Sequence, residues 1–432
     1  KARFPRTNRT ENIMQISTEV YSCKSSTRVV VPLAGDVAAN RFLLATANIG
    51  ERNEIHLVEY NSHNKTVYSE CIYKHDGQIF GLSPCPYNPE LCFAIIGCDS
   101  DTKKGALYRL NNLPCTHASE EKEPESDNAQ EAPKQAEVSG ENGEKVEGAA
   151  KSVDEGDGKK EEKESVEEEE SLADDKKNAV PVTQGPTELT LLCSAPRENV
   201  ITAIWHPGNL EEGTLPHEMV IVYRTGYAGY QVTDEGELKE LFFYPLTSPC
   251  TAAAWDPLHT HLLAIAEDCD VKVINISDNS VHAEMKHAHA DTILCMEYNP
   301  NRPSTLCTGG KDGVVTVWHV SHRGLAVEKT LQAHTHWVTS VHFNPLHDQL
   351  LLTSSTDSGI SVWRLFSVSS AHMREKQHED KLVMTLGGAR TSIYSTCWSA
   401  KNPWLYCGSS YEGKLLFGLV PGEEIAVLLD EI

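Results

Sequence analysis

Two segments of the chain repeat one pattern of apolar and polar positions. Residues 287–318 read HAHADTILCMEYNPNRPSTLCTGGKDGVVTVW, and residues 332–363 read QAHTHWVTSVHFNPLHDQLLLTSSTDSGISVW. Each runs through a short apolar strand, an Asn-Pro turn, a second strand, a polar turn and a third strand that ends on Trp. The two Trp residues, Trp318 and Trp363, are 45 positions apart. Short strands separated by turn residues at a fixed period predict an all-β repeat protein.

Weaker copies of this pattern occupy most of the remaining chain. They are residues 29–60, 79–110, 200–232, 250–276 and 393–419. Together with the two clear copies they make seven units. A period of about 40–45 residues with a Trp closing the third strand is typical of WD40-type β-propellers, which have four strands per blade. The chain resembles that superfamily, and we expect a single seven-bladed WD40 β-propeller whose closed ring leaves only short strand edges.

One stretch breaks the pattern. Residues 119–180 carry 22 acidic and 9 basic side chains, and no Phe, Trp or Tyr lies between Tyr108 and Trp205. Such a segment cannot bury enough apolar area to offset the entropy of ordering it. We therefore predict a long acidic disordered insertion between the second and third blades. The expected divisions are blades one and two in residues 1–114, the insertion in residues 115–186, and blades three to seven in residues 187–432.

The two clear repeats carry the same four polar or aromatic residues at matching positions. In blades of the WD40 superfamily, these residues form one buried hydrogen-bonded network. A buried imidazole and carboxylate must satisfy each other, since leaving either unpaired would cost about 1–3 kcal/mol. Because the set recurs in successive blades, whereas an active site is built once, we interpret it as structural and predict no catalytic residue. The expected networks are His289, Thr308, Asp312 and Trp318 in the fifth blade, and His334, Thr353, Asp357 and Trp363 in the sixth.

The overall charge narrows the classes of partner. A formal charge of −24 opposes binding to nucleic acid or to an anionic membrane surface, because both require a positive field. No apolar run approaches the roughly 18 residues that a membrane-spanning helix needs. We therefore expect protein partners, no nucleic acid and no integral membrane segment. The thirteen cysteines are scattered singly without a C-x-x-C pair, which favours a reducing compartment over a disulfide framework.

A histidine cluster raises the question of a metal site. His282, His287 and His289 lie close together in the sequence. His289 is expected in the blade network, and the sequence shows no carboxylate or Cys completing the group at ligand spacing. Phosphate-binding loops of the G-x-x-x-x-G-K-[ST] and G-x-G-x-x-G kinds are also absent from the sequence. We predict neither a metal site nor a cofactor.

Several stretches resemble one particular propeller family. They are RFLLATANIGERNEIHLVEYN (41–61), HDGQIFGLSPCPYNPE (75–90), HTHWVTSVHFNPLHDQLLLTSSTDS (334–358) with the extension LFSVSSA (365–371), and SIYSTCWSAKNPWLYCGSSYEGKLLF (392–417). They are similar to blades of the proteins that interact with the EARP and GARP tethering complexes. The C-terminal stretches contain residues that a generic blade does not require, notably Asn-Pro-Trp at 402–404.

This resemblance implies a non-enzymatic adaptor that binds vesicle-tethering subunits. It implies a cytoplasmic protein, peripherally associated with the trans-Golgi network and recycling endosomes. There it would support endosomal recycling, endosome-to-Golgi retrieval and secretory-granule maturation, as a monomeric propeller within a larger assembly. The resemblance assigns no functional residue.

Three other functions are weighed against this one. A cytosolic receptor for peroxisomal import of proteins with N-terminal signals is also a short propeller, and an acidic groove would suit its basic cargo. The generic alternative is a WD40 scaffold of another complex. An enzyme using the central channel would require a polar constellation that does not repeat, and the sequence shows none.

Propeller geometry suggests where a partner binds. Residues just before the first strand of a blade, and those in the turn before its third strand, emerge at the same mouth of the ring. Trp337 is the best single candidate, because a Trp flanked by polar residues is typical of protein interfaces. Packing of Trp337 as ordinary core between blades is an equal alternative. The complete candidate set is Asp291, Lys311, His336, Trp337 and Thr356.

Overall fold

The fold is described here from a computed structural model. It describes residues 19–49, 52–98, 102–113, 186–207, 218–233, 235–370, 379–387 and 389–430. Within these ranges, 28 strands form seven four-stranded blades, and one α-helix follows the last strand. The expected seven-bladed β-propeller is confirmed.

The first three blades lie on either side of the acidic stretch of the sequence. The first blade consists of β2 Thr27–Pro32, β3 Asn40–Thr46, β4 Asn53–Asn61 and β5 Thr66–His75. The second consists of β6 Gln78–Pro84, β7 Leu91–Gly97, β8 Lys103–Leu110 and β9 Pro186–Ser194. The third consists of β10 Val200–Trp205, β11 Glu218–Tyr223, β12 Gly226–Val232 and β13 Leu238–Pro245. Parallel pairing of β5 with β9 joins the outer edges of the first two blades.

The next three blades follow one another with short connections. The fourth consists of β14 Cys250–Trp255, β15 Leu262–Glu267, β16 Asp270–Asn275 and β17 Ser280–Met285. The fifth consists of β18 Ile293–Tyr298, β19 Thr305–Gly310, β20 Val315–Ser321 and β21 Gly324–Leu331. The sixth consists of β22 Val338–Phe343, β23 Leu350–Ser355, β24 Ile360–Arg364 and β25 Lys381–Leu386, with a 3₁₀ turn at Phe366–Val368.

The seventh blade combines both ends of the described chain. It contains β26 Ile393–Trp398, β27 Leu405–Ser410 and β28 Lys414–Leu419, and its outer strand is β1 Val20–Ser22. Val20 is in register with Leu416, and Ser22 with Lys414. The helix α1, Gly422–Leu429, follows this blade.

The first strands of all blades surround the central axis. Each of β2, β6, β10, β14, β18 and β22 contacts the first strand of the next blade, and β26 contacts β2. These contacts close the ring. Outer strands such as β13 are largely exposed, whereas every side chain of β15, β19 and β23 is buried between neighbouring blades.

The core consists of apolar layers between adjacent blades. One layer joins Phe93 of the second blade to Ile221 of the third, and another joins Leu352 of the sixth to Leu416 of the seventh. Among the described residues, such a cluster fills each of the seven junctions. The strands therefore need apolar residues on both faces, which explains runs such as Leu-Leu-Leu at 350–352.

The repeated Asn-Pro turns have a local cause. The side-chain oxygen of Asn344 accepts hydrogen bonds from the backbone N–H groups of Leu346 and His347, at 3.0 and 2.9 Å. Asn299 does the same one blade earlier, to Asn301 and Arg302, both at 2.8 Å. A short side-chain amide that mimics a backbone turn reverses the chain after the first strand.

The expected blade boundaries were wrong in two places. Strand β9 pairs antiparallel with β8, with Leu110 opposite Leu189, so residues 187–194 complete the second blade instead of opening the third. The long connection therefore lies inside the second blade, between its third and fourth strands. Strand β1, expected in the first two blades, belongs to the seventh. In both cases an edge strand pairs with a partner that is distant in sequence. Residues 115–185 of the predicted insertion lie outside the described residues.

Candidate protein-interaction face

The structure brings the four predicted residues of the fifth blade into one chain of hydrogen bonds. Trp318 Nε1 donates to Thr308 Oγ1 at 2.8 Å, and Thr308 Oγ1 lies 2.8 Å from His289 Nε2. His289 Nδ1 lies 3.1 Å from a carboxylate oxygen of Asp312. Because an indole only donates and a carboxylate only accepts, Trp318 donates to Thr308, and His289 Nδ1–H donates to Asp312.

The sixth blade repeats this arrangement. Trp363 Nε1 donates to Thr353 Oγ1 at 3.1 Å, and Thr353 Oγ1 lies 2.9 Å from His334 Nε2. His334 Nδ1 lies 3.2 Å from Asp357 Oδ2. The network ties the loop before the first strand to the turn before the third and to the middle of the sheet. Its recurrence with the same geometry in adjacent blades fits a structural role.

Asp357 is held in its charged form by this network. Burial raises the pKa of Asp357, but hydrogen bonds from His334 and from the backbone N–H groups of Thr335 and Gly359 outweigh burial, and the pKa lies well below its usual range. The backbone distances are 2.9 Å from Thr335 and 3.0 Å from Gly359. The carboxylate therefore fixes two loop segments at the rim of the ring.

Trp337 lies at this rim and is not a core residue. Its side chain is 43% exposed. Its ring stacks on His336 with centroids 5.3 Å apart, and its backbone carbonyl accepts a 3.1 Å hydrogen bond from Thr356 N–H. His336 Nδ1 in turn contacts the Thr356 hydroxyl. Three of the five candidate residues are thus brought together, and the core alternative for Trp337 does not hold.

The fifth blade contributes a cation to the same place. Lys311 Nζ lies 5.2 Å from the centroid of the Trp337 ring, in a cation–π arrangement. The backbone N–H of Lys311 donates to the carbonyl of Thr292 at 2.9 Å, which places Asp291, an exposed residue, on the same rim. We call Lys311, His336, Trp337 and Thr356 the Trp337 ridge.

A second group on this face was missed by sequence reasoning. The guanidinium of Arg28 lies 5.3 Å from the Phe80 ring, 5.0 Å from Tyr394 and 5.8 Å from Tyr411. Lys103 Nζ lies 4.9 Å from the Phe80 ring. We call Arg28, Phe80, Lys103, Tyr394 and Tyr411 the cationic mouth. These residues come from blades seven, one and two, which meet only when the ring closes, so no sequence spacing connects them.

The two groups are continuous along the rim. Tyr411 N–H donates to the carbonyl of Ser392 at 3.0 Å, and the Ser392 hydroxyl donates to the carbonyl of Thr356 at 3.3 Å. The Trp337 ridge therefore borders the cationic mouth through the sixth and seventh blades. Together they form one basic and aromatic surface.

A cavity opens beneath the cationic mouth. Its volume is about 260 Å³, and Arg28, Phe80 and Tyr394 belong to its lining. Most of the wall residues come from the first strands of neighbouring blades, and they combine apolar side chains with hydroxyl and other polar groups. They include Val29, Val31, Leu82, Ser83, Ile95, Ile201, Thr202 and Ser395.

The structure corrects the reasoning about metal ligands. His287 has a Cys and a carboxylate beside it: its Nδ1 lies 3.7 Å from Cys269 Sγ, and Asp270 Oδ1 accepts its backbone N–H at 2.8 Å. Three potential ligand atoms of these residues lie within 4.8 Å of one another. The turn before the third strand of the fourth blade supplies two of them, an arrangement that the histidine spacing alone does not reveal. Asp270 already forms a 3.1 Å ion pair with Lys286.

Fold and networks define the class of this protein: a seven-bladed β-propeller with WD40-type blades. A family model described as the EIPR1 beta-propeller matches residues 245–363. No helix within the described ranges combines the length and the apolar character needed to cross a membrane.

Individual proteins are similar to this chain over most of its length. They are EARP and GARP complex-interacting proteins. The chain is 24% identical over 437 residues to the rat protein named EARP and GARP complex-interacting protein 1, covering 93% of this chain and 96% of the relative. The human protein of the same name is 24% identical over 438 residues, with the same coverage. The Caenorhabditis elegans EARP-interacting protein 1 is 26% identical over 268 residues, covering 57% of this chain and 69% of the relative.

Proposed function

We propose that this protein is a non-catalytic adaptor that binds vesicle-tethering complexes of the EARP and GARP type. One observation carries the proposal: the similarity extends over 93% of the chain and 96% of a relative named for interaction with these complexes. A match of this extent includes all seven blades and is not confined to the generic repeat. We place the protein in the cytoplasm, peripherally associated with the trans-Golgi network and recycling endosomes.

The cellular role follows from the proposed partner. A tethering complex captures incoming vesicles, so an adaptor bound to it would support endosomal recycling, endosome-to-Golgi retrieval and secretory-granule maturation. We propose that the protein acts as a single propeller within the larger assembly. The repeated His-Asp networks are engaged in holding blade segments together, which supports an adaptor over an enzyme.

We propose the Trp337 ridge as part of the contact surface. Trp337 presents a large exposed ring beside a cation, and such residues are enriched among the anchors of protein interfaces. Lys311, His336 and Thr356 hold the ring in one orientation, so little entropy is lost when a partner covers it. Asp291 adds an exposed acidic group on the same rim.

Capture of purified complexes tests this function. Immobilised full-length chain is expected to retain purified EARP or GARP complex, and Trp337→Ala is expected to weaken retention by about ten-fold or more, because truncating an interface anchor typically costs about 2 kcal/mol. Leu346→Ala is the matched control. Leu346 is 67% exposed but lies in the turn between β22 and β23, at the end of the blade opposite the ridge.

The outcomes separate the function from the site. Unmutated chain that retains neither complex would contradict the proposed function. Retention that survives Trp337→Ala, or that Leu346→Ala reduces equally, would contradict the ridge as the contact surface. The melting temperature of each variant shows whether it is folded.

A further inference from the structure

The cationic mouth carries positive charge that nothing in the described chain neutralises. Neither Arg28 nor Lys103 has a carboxylate partner within ion-pair distance among the described residues, and the same is true of Lys311 on the adjoining ridge. Arg28 and Lys103 instead share the Phe80 ring. Both residues are only partly exposed, so their charges are less screened by solvent than those of fully exposed cations.

The two cations contact the same aromatic ring, Phe80. Burial and the charge of Arg28 both lower the pKa of Lys103. Like charges on one ring repel, and a carboxylate that contacts both would relieve that repulsion while forming charge-assisted hydrogen bonds. The mouth is therefore arranged to receive an anion.

The surroundings determine what kind of anion fits. Tyr411, 39% exposed, and Trp337 present aromatic rings along the rim, as protein-binding surfaces do. The cavity below is about 260 Å³, smaller than the roughly 300–1,000 Å³ of typical small-molecule sites, and apolar side chains and polar groups both line it. It suits a side chain inserted from a longer ligand. A nucleic acid is disfavoured, because the acidic remainder of the chain would repel a polyphosphate.

We propose that the cationic mouth binds an acidic segment of a partner protein, with a carboxylate between Arg28 and Lys103 and a neighbouring apolar side chain in the cavity. The aromatic rings of Phe80, Tyr394 and Tyr411 keep Arg28 in place and pack against the apolar part of the segment. The proposal deepens the adaptor function, on which it rests for the partner being a protein. It states what chemistry that partner presents.

Direct peptide binding tests this inference without any tethering complex. The probe is a fluorescein-labelled twelve-residue peptide that alternates Glu with Leu, and the control probe replaces every Glu by Gln. The full-length chain is expected to bind the Glu peptide about ten-fold or more tightly than the Gln peptide in fluorescence anisotropy. Raising the salt concentration should weaken the Glu peptide selectively.

Variants that each remove one positive charge test whether the peptide binds at the cationic mouth. Arg28→Gln and Lys103→Gln should each weaken binding of the Glu peptide by about ten-fold, since each removes one charged hydrogen-bond donor. Lys401→Gln is the matched control: it removes one positive charge from the turn between β26 and β27, at the other end of the seventh blade. Unchanged melting temperatures identify folded variants, and two separate positions guard against one variant failing to fold.

The remaining results separate failure of this proposal from failure of the proposed function. Equal binding of the Gln peptide, or equal weakening by Lys401→Gln, would overturn it. A peptide that copies residues 160–175 and binds as tightly as the Glu peptide would assign the mouth to this chain's own acidic sequence and overturn a partner as occupant. If the Glu peptide binds as expected but EARP and GARP complexes are not retained, the mouth stands and the proposed partner identity fails.

Discussion

The charged side chain of Asp357 holds two loop segments of the sixth blade together. Its carboxylate accepts hydrogen bonds from His334 in the loop before the first strand and from Gly359 in the turn before the third. The same turn carries Thr356, a member of the Trp337 ridge that contacts His336. A single charged group therefore maintains both the inside of the blade and the surface proposed to meet a partner.

Replacing this carboxylate should make the free energy of unfolding less dependent on pH in the acidic range. A folded-state pKa below the usual value means that the charge stabilises the fold above the unfolded-state pKa of about 3.9, and that this contribution is lost as the pH falls below it. Asp357→Asn should therefore lower the free energy of unfolding by about 1–3 kcal/mol at pH 7. The difference from unmutated protein should shrink below about pH 4, measured by urea unfolding.

An exposed carboxylate provides the comparison. Asp76→Asn makes the same chemical change at an exposed position and should change the free energy of unfolding by less than about 0.5 kcal/mol at either pH. A gap between Asp357→Asn and unmutated protein that stays constant from pH 7 to pH 3 would show that the charge of Asp357 contributes nothing.

The elements that complete the fold are its two distant edge strands. Strand β1 has only three residues, yet Tyr21 within it is 3% exposed and its hydroxyl lies 2.7 Å from His56 Nδ1 of the first blade. Burial raises the pKa of Tyr21 to about 12, which keeps the hydroxyl neutral at physiological pH. Tyr21 therefore fastens the seventh blade to the first.

Truncating this side chain should destabilise the ring. Tyr21→Ala is expected to cost about 3 kcal/mol or more of unfolding free energy, because it removes a buried aromatic ring and leaves His56 Nδ1 without its partner. Val20→Ala in the same strand, where the side chain is 41% exposed, should cost less than about 1 kcal/mol. Urea unfolding at constant pH measures both. Equal losses of unfolding free energy in the two variants would show that Tyr21 does not fasten the seventh blade to the first.

The repeated features of the blades could be predicted from the sequence, but the contacts that close the ring could not. The fifth and sixth blades are recognisable because His289 and His334 require partners at fixed offsets, so the pattern reports the geometry directly. Strands β1 and β9 could not be predicted in this way. Tyr21 pairs with a residue hundreds of positions away, and Leu189 pairs with one that is scores of positions away. The cationic mouth was missed for the same reason, since Arg28 and Tyr394 meet only across the closed ring. Trp337 was found because it belongs to the repeated unit.

At the scale of the whole molecule, the second blade is completed across the long connection by contacts between its own strands. Strands β8 and β9 pair directly across the long connection. Near its ends, the Asn111 side chain donates to the carbonyl of Glu188 at 2.9 Å and to the Thr190 hydroxyl at 2.8 Å. These contacts hold the third and fourth strands of the second blade together.

Deleting these residues should leave the ring intact. With residues 119–180 replaced by a short Gly/Ser bridge, the melting temperature is expected to change by no more than a few degrees, because the β8–β9 pairing remains and the shorter loop costs less to close. The formal charge should fall from −24 to −11, giving earlier elution in anion exchange. A larger loss of melting temperature would mean that the deleted residues pack on the propeller.

The pairing of β1 with β28 also sets the order of events during synthesis. Residues 20–22 hydrogen-bond to residues 414–416, so at about 5–20 residues per second β1 leaves the ribosome tens of seconds before its partner exists. Throughout that interval the seventh blade lacks its outer strand, and β1 offers unpaired backbone groups to other chains. A ribosome that stalls late in the message would release an almost complete but unsealed propeller. Completion of the last blade is therefore the step that pairs β1 and closes the ring.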